Sequence, residues 1–275
     1  MIRAVLWDVD GTLAETERDG HRVAFNRAFA ATGLGWRWDE AYYGELLRVT
    51  GGRERLLADM ATRRDAPADS SDRASLAQEL HDLKNRHYAE LIGAGCIPLR
   101  PGVRPLIEEI ARCGLTQAIV TTTSRSNVDA LLGHHFGPNW QERFAATVCG
   151  EDVRRKKPDP EAYLRALQVL DLQPHETLAL EDSALGAAAA AAARVPMLLT
   201  RSAYFGQDVS AAAIAIGAGL HSRGGWTPAP AADADAQGSV TLSDLVDWHA
   251  HYLAARPSIR GQAAPAAAAT PKRST

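Results

Sequence analysis

Ile2-Arg3-Ala4-Val5-Leu6-Trp7-Asp8-Val9-Asp10-Gly11-Thr12-Leu13 opens the chain with a short apolar run of strand type that ends in two aspartates spaced i, i+2. On an extended chain, side chains two residues apart share a face, so both carboxylates sit together at the mouth of the strand. Like charges so close repel, and a cation between them is the natural remedy. Gly11 lets the backbone turn sharply away. The stretch predicts a strand whose carboxyl end suits a divalent metal and, through it, a phosphate; an ordinary exposed turn has the same local appearance.

At 275 residues and 46% hydrophobic content, the chain is long enough for one large or two unequal domains. A net charge of −3 with pI near 6.3 argues against bulk nucleic-acid binding and a polybasic membrane contact. Cys96, Cys113 and Cys149 form neither a zinc pattern nor a disulfide framework, which points to a reducing compartment. The first residues lead into the motif rather than into a signal segment, and the alanine-rich run from Gly186 to Ala193 is too short to span a bilayer. The expectation is a soluble cytoplasmic protein acting on a small molecule, with no nucleic-acid or membrane partner, as a monomer.

After the first motif the pattern is helical to about residue 92. Helices are predicted over 21–29, 40–47, 54–64 and 76–91, broken at Gly51-Gly52 and by a turn over 67–71. This reads as a helical domain (16–92) inserted after the first strand. From Pro98 helices and strands alternate, with strands at 116–122, 145–149, 177–180 and 197–199 and helices at 103–113, from 126, 160–170 and 184–193. Alternation of this length predicts an α/β fold: a Rossmann-like parallel sheet with helices on both faces, built from 1–15 and 93–255. Ligands of such sheets bind beyond the strand carboxyl ends. Asp8, Asp10, the 121–124 hydroxyl cluster and Glu181-Asp182 all fall there. Residues 224–238 read as a loop with Trp226 against the body, 242–253 as a final helix, and 256–275 as a disordered tail.

Four motifs in order, Asp8-Val9-Asp10-Gly11-Thr12, Thr121-Thr122-Thr123-Ser124, Lys156-Lys157-Pro158-Asp159-Pro160 and Glu181-Asp182-Ser183, resemble the haloacid dehalogenase superfamily over roughly residues 1–200. The helical insert matches the superfamily's cap. The stretches 14–21, 49–55 and 150–153 resemble the CbbY-type proteins within the β-phosphoglucomutase-like branch. That resemblance implies a Mg²⁺-dependent phosphatase removing the C1 phosphate of xylulose 1,5-bisphosphate, a misfire product that inhibits Rubisco. A phosphomutase or phosphoglycolate-type monophosphatase is the alternative within the family, and a catalytically silent binding relative the alternative outside it.

The chemistry suits the positions. Asp8 is the candidate nucleophile, forming an aspartyl-phosphate, and Asp10 the general acid and base, which requires a raised pKa. Asp8, Asp10 through its carbonyl, Glu181 through a water, and Asp182 would hold Mg²⁺. Thr122, or Thr121 one register away, would bond the phosphoryl group; Lys157, or Lys156, would neutralise it. Thr123 and Ser124 complete the phosphate side. In the cap, Glu17 and His21 are placed toward sugar hydroxyls, Thr50-Gly51-Gly52 toward close backbone approach, Arg53 or Arg55 toward a second phosphate, and Lys84 toward the site. Plain surface roles for His21, Arg55 and Lys84 stand beside these. Trp36, Trp38, Tyr42 and Tyr43 read as cap core. His134-His135 and His249/His251 read as surface.

Overall fold

The computed structural model describes residues 1–207, 209–230 and 238–255. The predicted tail at 256–275 lies outside the described residues. A parallel sheet runs in the order β3-β2-β1-β4-β5-β6. Its strands are β1 (Ala4–Trp7), β2 (Thr116–Val120), β3 (Ala146–Val148), β4 (Thr177–Glu181), β5 (Met197–Thr200) and β6 (Ala213–Gly217). β1 is central, with Trp7 in register with Ile119 of β2 and with Leu180 of β4. Strands covered on both faces read as unbroken apolar runs, and β1 and β4 are buried throughout.

Alternate side chains feed two cores. Val5, Trp7, Ile119, Leu178 and Leu198 face α5 (Val103–Arg112), α6 (Arg125–Phe136) and α9 (Leu242–Ala255). Ala4, Leu6, Ala118, Val120 and Ala179 face α7 (Glu161–Leu170) and α8 (Ala184–Ala192). The alanines of α8 let it lie close to the sheet, with Ala187, Ala189 and Ala190 buried.

The helical insert has a third cluster of its own, built from Phe25, Phe29, Trp36, Trp38, Tyr43, Leu56, Met60 and Leu80. These residues come from α1 (Arg22–Ala31), α2 (Glu40–Leu46), α3 (Gly52–Thr62), α4 (Ser70–Gly93) and the 32–39 connection. As expected, Trp36, Trp38 and Tyr43 are core residues. Tyr204 and Phe205, from the loop after β5, pack against this cluster. The two passages between insert and sheet are paired: Ala14 bridges Leu99, the Arg100 N–H donates to the Leu13 carbonyl at 2.8 Å, and Arg100 meets Glu15 at 3.3 Å.

Three sequence expectations are corrected. The turn placed at 67–71 ends earlier, because the Asp69 carboxylate accepts from the Ser71 N–H and starts α4 at Ser70. β6 was not expected: its Ala-Ile-Ala-Ile-Gly alternation is only five residues long and follows directly on Ala211-Ala212; Ile216 also exchanges backbone bonds with Thr227. His249 is buried, not superficial, because it lies on the face of α9 that carries Leu245 and Trp248 into the core. Trp226 packs on Trp248 at 4.8 Å, as its apolar bulk suggested. Among the described residues no helix is long and apolar enough to cross a membrane.

Candidate active site

Beyond the carboxyl ends of β1, β2 and β4 lies a cavity of about 480 Å³, roofed by the helical insert. Asp8 follows β1, and its N–H still donates to the Leu180 carbonyl at 3.1 Å, which fixes its side chain beside Glu181. Asp8, Glu181 and Asp182 are buried and present carboxylate oxygens within 4.8 Å of one another. Gly11 adopts φ +84°, and a Cβ there would fall 1.9 Å from Asp182 Oδ2; only glycine lets the loop approach this closely.

Lys157, from the loop before α7, reaches under this cluster. Its ammonium donates to Asp8 Oδ1 at 2.7 Å, Glu181 Oε1 at 2.6 Å and the Val120 carbonyl at 2.8 Å. The Tyr163 hydroxyl donates to the same Glu181 Oε1. Burial pushes the Asp8 carboxyl up to about 8; Lys157 opposes the rise, while Glu181 and Asp10 add to it. Asp182 is also raised well above the carboxylate range, by burial and then by Asp8. Lys157 is held above the usual lysine range, because the two carboxylates outweigh its burial. Three buried carboxylates facing one ammonium carry an excess of negative charge. That excess, with an all-oxygen donor set, fits Mg²⁺.

Asp10 behaves oppositely. Burial disfavours its charge, but the neighbouring His21 ring and hydrogen bonds from His21 and Thr16 outweigh this and hold it at about 2. The Thr16 hydroxyl donates to Asp10 Oδ1 at 2.5 Å, and His21 Nε2 lies 2.9 Å from the same oxygen. The expectation of a raised Asp10 is thereby corrected. The sequence could not show that the turn at Glu17–His21 folds back and places an imidazole and a hydroxyl on this carboxylate.

The hydroxyl cluster is divided by its surroundings. The Thr121 hydroxyl is buried and accepts from the Thr123 N–H, whereas Thr122, Thr123 and Ser124 line the cavity. Ser124 precedes α6 and Ser183 caps α8, so two helix N-termini border the site, an arrangement that favours an anion. The Lys156 side chain turns away and pairs with Glu54 of α3 at 2.7 Å.

Residues 2–194 match the haloacid dehalogenase-like hydrolase family. The chain belongs to that family. CbbY from Rhodobacter capsulatus is 46% identical over 212 residues, covering 77% of this chain and 91% of the relative. The plasmid-borne CbbY of Cupriavidus necator is 44% identical over 207 residues, covering 75% and 81%. Crystal structures of CbbY from Rhodobacter sphaeroides, one with phosphate and one of a mutant with xylulose 1,5-bisphosphate, superpose with TM-score 0.71 at 39% identity, covering 78% of this chain and 92% of that one. The protein is thus a phosphatase of the haloacid dehalogenase-like family, of CbbY type.

The cap of this hydrolase places its expected residues unequally. Glu17 accepts from the Tyr43 hydroxyl at 2.5 Å and meets Arg55 at 3.4 Å. Arg55 is buried, not a solvated helix charge, and donates to the Tyr43 oxygen at 2.7 Å. His21 is buried as well, with Tyr88 at 4.4 Å, rather than on the cap surface. Lys84 is buried over the rings of Phe25 (5.4 Å) and Tyr88 (5.3 Å); burial brings it down to about 8, against the pull of Asp10 and Glu17. The Thr50 hydroxyl donates to the Lys157 carbonyl at 2.6 Å, tying the cap loop to the core. Gly51, Gly52 and Arg53 line the cavity, and the Arg53 side chain is exposed.

Sequence reasoning missed Thr16, Tyr163, Glu54 and Arg100, and it placed Tyr43 in the cap core without its hydroxyl contacts to Glu17 and Arg55. Arg100 donates to the Gly11, Arg201 and Ala218 carbonyls, clasping the first motif to the loops after β5 and β6. Its only signal in the sequence is a charge standing between two apolar segments.

Proposed function

We propose that the protein is a Mg²⁺-dependent sugar-bisphosphate phosphatase that cleaves the C1 phosphate of xylulose 1,5-bisphosphate to give xylulose 5-phosphate. The reading is carried by the Asp8–Lys157 pair at the floor of the cavity, a buried carboxylate held beside a fixed cation at 2.7 Å. The CbbY mutant seen with this same bisphosphate supports the substrate. A cavity of about 480 Å³ is of a size that takes a five-carbon bisphosphate.

Asp8, Asp182, Glu181 and the Asp10 carbonyl are the groups that would hold Mg²⁺, which supplies charge neutralisation to the transferring phosphoryl group when bound. An Asp8 oxygen attacks phosphorus, the bond from phosphorus to the C1 oxygen breaks, and an aspartyl-phosphate forms. The leaving alkoxide takes a proton from Asp10. Asp10 is ionised in the free protein, so it takes up this proton as substrate binds, at the carboxylate whose Oδ1 lies 2.9 Å from His21 Nε2. Water then attacks phosphorus, Asp10 receives the water's proton, and the bond to Asp8 breaks to release phosphate. Thr122 and the helix N-termini at Ser124 and Ser183 hold phosphoryl oxygens, and Lys157 offsets their charge. On the cap side, Arg53 reads the second phosphate. Glu17 and Arg55, already paired, present a fixed polar wall to the sugar, flanked by His21 and Lys84. The enzyme acts in a reducing cytoplasm as a monomer.

Phosphate release with Mg²⁺ across sugar mono- and bisphosphates tests the reading. Strong preference for xylulose 1,5-bisphosphate is expected. An isomerised sugar phosphate without free phosphate would identify a mutase and overturn it, and flat, weak hydrolysis of every substrate would overturn the assigned substrate.

A further inference from the structure

Lys157 is saturated. An ammonium has three N–H donors, and here they meet Asp8 Oδ1, Glu181 Oε1 and the Val120 carbonyl. To contact a phosphoryl oxygen, Lys157 must release one acceptor. The Val120 carbonyl is main chain at the end of β2, and Asp8 is the group that Lys157 orients for attack. Glu181 is the acceptor that can be released, provided that another donor remains on its oxygen, because a buried carboxylate oxygen left bare is costly.

That donor is present. The Tyr163 ring is fully buried on α7, its hydroxyl donates to Glu181 Oε1, and the Lys157 ammonium lies 5.2 Å from its ring centre. On the other side of the carboxylate, a Cβ at Gly186 would fall 1.9 Å from Oε2, so the chain leaves just enough room for the carboxylate in this pose. We propose that Tyr163 is a positioning residue that anchors Glu181 while Lys157 exchanges it for the substrate's phosphoryl oxygen. The proposal rests on the phosphatase reading above. It assigns Tyr163 no contact with substrate; the residue acts through Glu181 and Lys157.

Tyr163→Phe removes the hydroxyl and keeps the ring, and Tyr163→Leu removes both. The measurements are the Mg²⁺ dissociation constant by calorimetry without substrate, the dissociation constant of orthophosphate in saturating Mg²⁺, and Tm. Removing a group that orients a metal-side ligand typically costs about 10–100-fold in metal affinity or activity. Both variants are therefore expected to bind Mg²⁺ and orthophosphate about tenfold more weakly, with Tm lowered mainly in Tyr163→Leu. Wild-type affinities in Tyr163→Phe, with loss confined to Tyr163→Leu, would reduce the residue to core filling and overturn the proposal. A wild-type protein that binds Mg²⁺ and releases phosphate while Tyr163→Phe is unchanged overturns the positioning role alone. A wild-type protein that does neither overturns the phosphatase reading itself.

Discussion

Stripping divalent metal with a chelator and following stability against pH probes the charge excess at Asp8. Its carboxyl moves from 3.8 to about 8 on folding, first through burial. In this interval the native state holds a proton that the unfolded chain has released, so stability falls as pH rises toward 8. Below pH 6.5 histidines act in the opposite sense: desolvation lowers half-buried His81 to about 4, and half-buried His135 and buried His249 are lowered too. The window used is therefore pH 6.5–8, where the raised Asp182 adds to the fall and Lys84, brought down to about 8, opposes it only near the upper edge. Asp10, held at about 2, titrates well below it. A span of about 1.5 pH units at about 1.4 kcal/mol per unit gives roughly 2 kcal/mol. At about 2–4 °C per kcal/mol for a chain of this size, Tm falls by about 4–8 °C. Scanning fluorimetry in chelator at constant ionic strength reads this directly. Mg²⁺ is expected to restore more stability at pH 8 than at pH 6.5, since less proton has to be displaced. Asp8→Asn is expected to flatten the slope and to abolish phosphate release. A flat or rising Tm across the window, or an undiminished slope in Asp8→Asn, would refute the reasoning.

Gly11→Ala forces a side chain into the left-handed region and onto Asp182; a strain of about 1–3 kcal/mol is expected, with loss of Mg²⁺ binding measured by calorimetry. Arg53→Ala is expected to raise KM for bisphosphates about tenfold or more and to leave monophosphates nearly unchanged, as steady-state kinetics on matched pairs will show. The Glu54–Lys156 pair is partly exposed, so Glu54→Gln is expected to shift Tm by no more than about 1 kcal/mol equivalent. Because that pair bridges cap and core, the same variant is expected to change kcat and reduce its dependence on salt.

Much of the fold was legible because its signals are local. The apolar run Ala4–Trp7, the helix–strand alternation after Pro98 and the buried aromatic residues of the cap each follow from periodicity and burial, and all appear in the structure. β6 escaped because the alternation over Ala213–Gly217 is short and merges with an alanine run, and the strand owes its place to pairing with β5. His249 escaped because its burial depends on which face of α9 meets the sheet.

The sequence by itself determined the parallel α/β core, the inserted helices, and which acidic, hydroxyl and basic residues fall at the strand ends, since these depend on short-range periodicity and on i, i+2 geometry. Only the tertiary structure decided how those groups are arranged around the cavity. Lys157 rather than Lys156 reaches Asp8, Thr122 rather than Thr121 faces the cavity, Asp8 is raised and Asp10 lowered, and Arg55 is buried against Glu17. Each of these turns on distances of a few ångströms between segments far apart in the chain. Electrostatic energy and hydrogen bonding change steeply over such distances, and no local pattern encodes them.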